Sequence, residues 1–186
     1  MNLIVATCDG GGIGRSGALP WPRLPTDFAT FVKLTTETSD PLKQNAVVMG
    51  RKCWESIPPK FRPLKKRLNF VLSRSMTSTP AENVILCRSL DDVFALISSG
   101  QHAGKPVETV WNIGGHDIYQ LAFESPHLHR IYRTEIAQTF ECDVFFPRNC
   151  DWSKFTPIDD DRLPRGQLTE NGVQFSFRAY EKIPAG

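Results

Sequence analysis

Short β-rich runs recur along the whole chain and constrain its fold more than any other feature. They lie at Leu3–Ala6, Ala46–Met49, Leu68–Leu72, Val84–Leu86, Thr109–Ile113, Ile131–Thr134 and Val173–Tyr180. Helical segments separate several of them, and strands that alternate with helices predict a mostly parallel α/β sheet. The last run alternates apolar with polar residues, which predicts an antiparallel strand.

Three helices are predicted between these strands. Ser89 is a good N-cap for a helix over Leu90–Ser98, and Gly100 is a good terminator for it. Two further helical patterns occupy about His116–Phe123 and Thr26–Thr36.

The length and composition suit one globular domain. A chain of 186 residues with 40% hydrophobic content can bury one continuous core, so residues 1–186 are expected to form a single domain. Phe155–Gly166, rich in Pro and Asp, is predicted to be a surface loop within it. A net charge of +2 and the lack of an apolar run of roughly 20 residues predict a cytoplasmic protein without a nucleic-acid or membrane partner. We expect it to be a monomer.

Cysteine and histidine usage predicts neither a disulfide framework nor a metal site. His127 and His129 stand two residues apart, but no third ligand accompanies them. The five cysteines are odd in number and lack C-x-x-C spacing, which fits a reducing cytosol. They are Cys8, Cys53, Cys87, Cys142 and Cys150.

A glycine motif follows the first strand. Gly12–Gly17 matches the G-x-G-x-x-G dinucleotide fingerprint, in which the last glycine opens a helix that faces a pyrophosphate. Here Pro20, Pro22 and Pro25 follow and exclude a helix at that place. The motif therefore predicts a glycine-rich loop that can approach a ligand, with an ordinary flexible turn as the alternative.

One acid stands among apolar residues near the start of the first helix. Asp27 shares a helical face with Phe31 and Leu34, at i+4 and i+7. Two interpretations remain open. The acid either complements the helix dipole, or it is a desolvated carboxylate with a raised pKa that binds an amidine-like group or supports protonation.

Many short motifs occur in a shared order and spacing that cover nearly the whole chain. They are Ile4-Val5-Ala6, Gly12-Ile13-Gly14, Leu19-Pro20-Trp21, Asp27-Phe28, Phe31, Met49-Gly50-Arg51-Lys52, Trp54-Glu55-Ser56-Ile57-Pro58, Arg62-Pro63-Leu64, Arg67, Leu72-Ser73-Arg74, Ser89-Leu90, Ile113-Gly114-Gly115, Tyr119 and Asp143-Val144-Phe145-Phe146-Pro147. Together they resemble the dihydrofolate reductase family. The resemblance implies an eight-stranded, mostly parallel central sheet with an antiparallel C-terminal strand, flanked by helices.

The resemblance also implies the reaction. Members of the family are oxidoreductases and antifolate targets that transfer a hydride from NADPH to C6 of dihydrofolate and add a proton at N5. The product, tetrahydrofolate, serves one-carbon metabolism and thymidylate synthesis. By this resemblance Asp27, Trp21 and Thr134 are the catalytic residues, because Asp27 would face the pterin and Thr134 would hydrogen-bond the acid.

Substrate contacts are implied along the chain. Arg67 would bind the α-carboxylate of the substrate's glutamate, and Lys65 and Lys66 are expected to attract the extra glutamates of polyglutamylated forms. The implied substrate residues are Ile4, Val5, Ala6, Asp27, Phe28, Phe31, Val32, Ile57, Pro58, Leu64, Arg67, Ile113, Tyr119 and Thr134.

Cofactor contacts are implied at the ends of strands, where the backbone at a helix start favours pyrophosphate. Ser73 and Arg74, with Arg88, resemble the family's pocket for the 2′-phosphate of NADPH. Cys53 replaces the usual threonine, which predicts somewhat weaker NADPH binding, and Ala18 replaces a polar loop residue. The implied cofactor residues are Ala6, Ile13, Gly14, Gly17, Ala18, Leu19, Gly50, Arg51, Lys52, Cys53, Leu72, Ser73, Arg74, Ser75, Arg88, Ile113, Gly114, Gly115, His116, Asp117, Ile118 and Tyr119.

Two alternatives remain open. One is a related reductase of another pterin or of a pyrimidine intermediate of riboflavin synthesis, and the other is a non-catalytic binder of folate or nucleotide. Asp27 together with Arg67 disfavours the first, because the arginine has no purpose without a glutamyl tail. An intact acid disfavours the second.

Overall fold

The computed structural model describes all 186 residues and contains eleven strands and four helices. The strands are β1 (Asn2–Thr7), β2 (Gly12–Gly14), β3 (Gln44–Gly50), β4 (Arg67–Leu72), β5 (Val84–Cys87), β6 (Val107–Gly114), β7 (Arg130–Ile136), β8 (Val144–Phe145), β9 (Phe155–Ile158), β10 (Leu168–Glu170) and β11 (Val173–Lys182). The helices are α1 (Pro25–Thr36), α2 (Arg51–Ser56), α3 (Leu90–Ser99) and α4 (His116–Glu124). All seven predicted strands and the three predicted helices are confirmed.

The central sheet has the order β10-β11-β7-β1-β6-β3-β4-β5. Every pair from β7 to β5 is parallel, whereas β11 runs antiparallel to both β7 and β10. The eight-stranded, mostly parallel sheet with an antiparallel C-terminal strand is therefore confirmed. In addition, β9 pairs with β11, and β2 and β8 form a separate ribbon.

The sheet buries a different cluster on each face, because successive side chains of a strand point in opposite directions. Val48 of β3 and Phe70 of β4 pack with Val93 of α3 and Ile118 of α4. On the other face Val47, Val71 and Trp111 pack with Leu34 of α1. Full burial of such a side chain stabilises the fold by about 1.5–3 kcal/mol.

α3 begins at the predicted cap. Ser89 Oγ accepts a hydrogen bond from Asp92 N, and the Asp92 carboxylate accepts one from Ser89 N, which completes a capping box. Gly100 ends the helix in the left-handed region, at φ +68°.

The prediction of a surface loop over Phe155–Gly166 is wrong for its first four residues. Phe155–Ile158 forms β9 and pairs with residues 179–182 of β11. Pro157 is tolerated there because β9 lies at an edge and pairs on one side only. The remainder is tied to the sheet through Asp160, which accepts a 2.7 Å hydrogen bond from Tyr132 Oη.

The glycine motif opens no helix, as predicted. Gly12–Gly14 forms β2 and pairs with β8, and the chain then turns back through Ser16 and Gly17, both with positive φ. The next helix begins only at Pro25. None of the helices has the length and apolar character that a membrane span requires.

Candidate active site

The acid at the start of α1 meets a threonine of the central sheet. Thr134, buried on β7, donates from Oγ1 to Asp27 Oδ1 at 2.6 Å. Burial raises the pKa of the Asp27 carboxyl, the Thr134 hydrogen bond lowers it, and the negative charge of Glu170 adds to the rise. Asp27 is thus a fixed, partly buried carboxyl that accepts a proton more readily than an exposed aspartate.

Glu170 anchors the end of α1 that bears this acid. Leu24 stands at the N-cap and provides no side-chain hydrogen bond. Instead the Glu170 carboxylate, reaching from β10, accepts from Thr26 N and from Thr26 Oγ1, each at 2.9 Å. Sequence reasoning missed this role because the partners lie far apart in the chain. The only available signal was a helix start at Pro25 without a capping residue before it.

Half-buried apolar residues gather on the face of the sheet where Asp27 meets Thr134, and we refer to this face as the candidate cleft. Ile4, Ile57, Leu64 and Ile113 are half-buried and pack against the same core cluster. Ala6 lies beside Thr134 in the β1–β7 pairing. These five predicted substrate residues are therefore brought to one side of the sheet.

Other predicted substrate residues differ in their access to this cleft. Phe31 and Val32 of α1 are half-buried, whereas the Phe28 side chain is 61% exposed and Pro58 is also exposed. The Val5 side chain packs on the opposite face of the sheet, so only its backbone remains available to a ligand on the cleft side.

Arg67 is held in place at the start of β4. It donates from Nε to Lys65 O and from Nη1 to Thr35 Oγ1, both at 2.9 Å, and lies 6.0 Å from the Phe31 ring. Burial lowers its pKa to about 10, so the guanidinium stays charged at neutral pH. Its Nη2 amino group makes none of these bonds, which leaves a donor edge suited to a carboxylate.

Asn69 is a second positioning residue that sequence reasoning missed. Its buried amide accepts from Leu64 N and donates to the Leu64 carbonyl, at 2.9 and 2.8 Å. These bonds fix the segment that brings Leu64 to the cleft. The residue was not singled out because a polar residue inside a predicted strand carries no distinct signal.

Trp21 and Tyr119 lie deeper in the site. Trp21 is buried, and its indole Nε1 finds no acceptor within the protein, so it can donate to a bound polar group. Tyr119 Oη donates to the carbonyls of Ile4 and Ile113, at 2.8 and 3.1 Å. The tyrosine thereby connects β1 with β6 beside the cleft.

Two predicted phosphate loops lie next to each other. Met49 of β3 pairs with Gly114 of β6, so the ends of these two strands are neighbours. A helix follows each end, α2 from Arg51 and α4 from His116. Gly114 has φ +100°, and a Cβ there would lie 2.6 Å from Tyr119 Cζ, so only glycine fits. No side chain caps either helix, which leaves first-turn N–H groups free for an anion.

The predicted 2′-phosphate residues follow at the neighbouring strand ends. Leu72 at the end of β4 pairs with Gly50 of β3 and with Cys87 of β5. The next residues, Ser73 and Arg88, are therefore neighbours, and Arg88 Nη1 donates a hydrogen bond to Ser73 O at 2.6 Å. Arg74 and Ser75 are exposed beside them.

The remaining predicted cofactor residues occupy three places. Cys53 Sγ donates to Ile113 O at 3.7 Å, and burial raises the pKa of this thiol to about 12. The Ile118 side chain packs into the core, so only its backbone can face a ligand. The others are exposed or half-buried in the glycine-rich loop and in the first turns of α2 and α4: Ile13, Gly14, Gly17, Ala18, Leu19, Lys52, His116 and Asp117.

The histidine pair has ordinary protein partners. His127 stacks on Phe94 with ring centroids 4.0 Å apart, and His129 Nε2 lies 3.4 Å from Glu181. No group of three or more His, Cys, Asp or Glu side chains is arranged to hold a metal ion.

Comparison with known proteins gives consistent matches over nearly the whole chain. The family model described as "Dihydrofolate reductase" matches residues 1–182. Dihydrofolate reductase of Heliothis virescens is 40% identical over 98% of this chain and 97% of its own, and that of Gallus gallus is 42% identical over 98% and 96%. The solved structure of Schistosoma mansoni dihydrofolate reductase superposes with a TM-score of 0.84 at 37% identity, covering 98% of this chain and 97% of its own.

The fold, the buried acid and these matches define an oxidoreductase. The chain belongs to the dihydrofolate reductase family.

Proposed function

We propose that this chain reduces 7,8-dihydrofolate to 5,6,7,8-tetrahydrofolate with NADPH, by hydride transfer to C6 and protonation at N5. One observation carries the proposal: Thr134 holds Asp27 beside Ala6 of β1, in a sheet whose strands β3 and β6 end in two adjoining phosphate-type loops. We further propose that residues 1–186 act as one domain in the cytoplasm and that the product supplies one-carbon metabolism and thymidylate synthesis.

The acid is suited to hold the pterin and to manage its proton. An ionised Asp27 can accept from an amino group and a ring N–H of a flat heterocycle, as a carboxylate does with an amidine-like edge. Thr134 fixes the orientation of the carboxyl, and burial keeps its pKa raised, which favours its protonated form at a pH where exposed aspartates are ionised. In this proposal Asp27 pairs with the amino group and the ring N–H, and a nearby water delivers the proton that neutralises N5 as the hydride arrives at C6.

Arg67 and the apolar walls are suited to the rest of the substrate. Phe31 and Leu64, with Ile57, offer apolar contacts for an aromatic ring, and Val32, Phe28 and Pro58 border the entrance. Arg67 has a free donor edge for the glutamate α-carboxylate, held in place by Thr35 and Lys65. Antifolate inhibitors that share the amidine-like edge would use the same carboxyl.

The cofactor residues are suited to NADPH at two points. The uncapped first turn of α4, after Gly114 and Gly115, can bind pyrophosphate. Arg74 and Arg88 are exposed cations at the place where an extra phosphate would distinguish NADPH from NADH. The nicotinamide, when bound, supplies the hydride, and the protein's part is to orient it and exclude water.

The test is the loss of NADPH absorbance when dihydrofolate is added, measured for the parent and for Asp27→Asn. The parent should turn over, and the variant should lose most of its kcat/KM while it keeps its affinity for NADPH, because an amide can neither pair as an ionised carboxylate with the amidine-like edge nor take up a proton. Thr134→Val is the matched variant, since it removes only the hydrogen bond and should cause a smaller loss. Turnover of another pterin or of a pyrimidine but not of dihydrofolate would overturn the proposal, as would binding without turnover.

A further inference from the structure

Two cysteines outside the proposed chemistry lie against each other at the root of the glycine-rich loop. Cys8 directly follows β1, and Cys142 stands two residues before β8. Their Sγ atoms are 3.7 Å apart although the residues are 134 positions apart in the chain. Both are free thiols.

The surroundings leave the two sulfurs facing each other. Cys8 is buried in a cluster with Trp21 and Ile136, and Cys142 packs against the same cluster while it stays half-exposed. Gly12 lies directly over the pair, since a Cβ at this position would overlap Cys142 Sγ and lie 3.0 Å from Cys8 Sγ. Absence of a side chain at Gly12 therefore makes room for the paired sulfurs.

We infer that Cys8 and Cys142 form an oxidisable dithiol, a modification site at which a low-molecular-weight disulfide such as glutathione disulfide converts the pair to an intramolecular disulfide. A disulfide requires the sulfurs to approach to about 2.0 Å, a closure of under 2 Å from their present separation. A rotation of the half-exposed Cys142 side chain is the small movement that this closure needs.

The reaction proceeds by two thiolate exchanges. The Cys142 thiolate, the more accessible of the two, attacks one sulfur of glutathione disulfide, and the other glutathione leaves as a thiolate. Cys8, once deprotonated, attacks Cys142 Sγ and expels the second glutathione. The protein loses two protons and two electrons, and glutathione disulfide gains them to become two molecules of glutathione.

The rate should depend strongly on pH. Burial, and to a smaller extent the neighbouring Cys8 and Asp143, raise the pKa of Cys142 to about 11, while Arg15 acts in the opposite direction. The thiolate is therefore scarce at neutral pH, and oxidation should accelerate as the pH rises.

The disulfide would constrain the glycine-rich loop. The segment that contains Cys142 already holds this loop by three hydrogen bonds of 2.8–3.0 Å. Phe146 N donates to Gly11 O, and Asp143 N donates to Gly14 O. Ser16 N donates to the Asp143 carboxylate. A covalent bond from Cys8 to Cys142 would tie the same segment to the end of β1. The effect on turnover rests on the proposed function and on the cofactor contacts expected from Ile13 and Gly14 of this loop.

The experiment treats the whole protein with glutathione disulfide at pH 8 and maps non-reduced peptides by mass spectrometry. We expect a peptide pair joined through Cys8 and Cys142, a loss of two free thiols, and reversal by dithiothreitol. Cys142→Ser should abolish the cross-link, and Cys150→Ser, the matched control, should leave it unchanged. A stable glutathione adduct on Cys142 without the cross-link, or a cross-link between other cysteines, would overturn the inference.

Turnover is measured separately on the cross-linked and the reduced protein. We expect the cross-link to lower kcat severalfold and dithiothreitol to restore it. Unchanged kcat in fully cross-linked protein would refute the constraint on the loop. If reduced protein fails to turn over dihydrofolate, the proposed function fails, while the peptide map still decides whether the dithiol site exists.

Discussion

At the scale of single residues, Asp27 links the stability of the protein to pH. Its pKa is raised on folding, chiefly by burial, so the folded state binds a proton more readily than the unfolded state. The stabilisation that this provides is complete below the unfolded pKa, near 3.9, and is lost as the pH rises through the folded pKa.

Asp27→Asn should therefore be more stable than the parent at neutral pH. The amide oxygen can still accept from Thr134, and no charge has to be buried. The gain is expected to be on the order of 1 kcal/mol, to grow as the pH rises from about 4, and to level off above the folded pKa. Urea unfolding of both proteins across this range measures it, and a gain that shrinks as the pH rises would contradict the assignment.

Arg74 is expected to distinguish the two nicotinamide cofactors. A charge-assisted hydrogen bond to a phosphate contributes about 1.5–3 kcal/mol, so Arg74→Ala should weaken NADPH binding by about tenfold or more and leave NADH nearly unchanged. Fluorescence titration with each cofactor gives the two Kd values, with Arg165→Ala as the control because Arg165 is exposed and pairs only with Asp161. Equal losses for both cofactors would argue against a 2′-phosphate site here.

At the scale of elements, the N-terminus of α1 depends on a residue from the other end of the chain. Glu170 accepts both Thr26 hydrogen bonds, and its charge also raises the pKa of Asp27. One side chain of β10 therefore anchors the start of the helix and also contributes to the raised pKa of the acid.

Glu170→Gln should separate these two effects. Gln keeps an oxygen acceptor near Thr26 but removes the charge, so the pKa read from the pH profile of kcat/KM should fall. Glu170→Ala removes the cap as well and should lower the free energy of unfolding by about 0.5–2 kcal/mol. An upward move of the kinetic pKa in Glu170→Gln would be incompatible with the charge interaction.

Local sequence patterns were enough to predict helices and strands whose limits depend on residues nearby in the chain. They did not predict features that depend on contacts between residues far apart in the chain. Ser89 and Gly100 determine the limits of α3 by contacts within a few residues, so that helix could be read directly. The edge strand β9 was hidden by Pro157 and the acids that follow, and its pairing with β11 is a long-range contact without a local signature. In the site, Asp27 was found from its apolar neighbours, whereas Glu170 and Asn69 act through backbone groups and were missed.

At the scale of the whole molecule, an ion pair within the segment after β9 is hydrogen-bonded to Tyr132 of the sheet. Asp160 binds Arg162 at 2.6 Å and accepts from Tyr132 Oη at 2.7 Å, and its side chain is only 8% exposed. The bonds from Arg162 and Tyr132 hold the pKa of this carboxyl far below its usual range.

Loss of this carboxylate should lower the free energy of unfolding at neutral pH and make that free energy depend less on pH in acid. The stabilisation from a lowered pKa is present above the unfolded value, near 3.9, and is lost as the pH falls below it. Asp160→Asn should lower the free energy of unfolding by about 2 kcal/mol at pH 7 and lose less on acidification than the parent does. Urea unfolding between pH 7 and pH 3 tests this, and parallel curves for the two proteins would rule it out.

The strand order also determines when the molecule can be completed during synthesis. β1 is made first, but its neighbours in the sheet are β6 and β7, which end at residues 114 and 136. The first strand to leave the ribosome must therefore wait, unpaired, until most of the chain has been translated. Because Ile4 and Ala6 of β1 belong to the candidate site, that site cannot be completed in a nascent chain until this late closure.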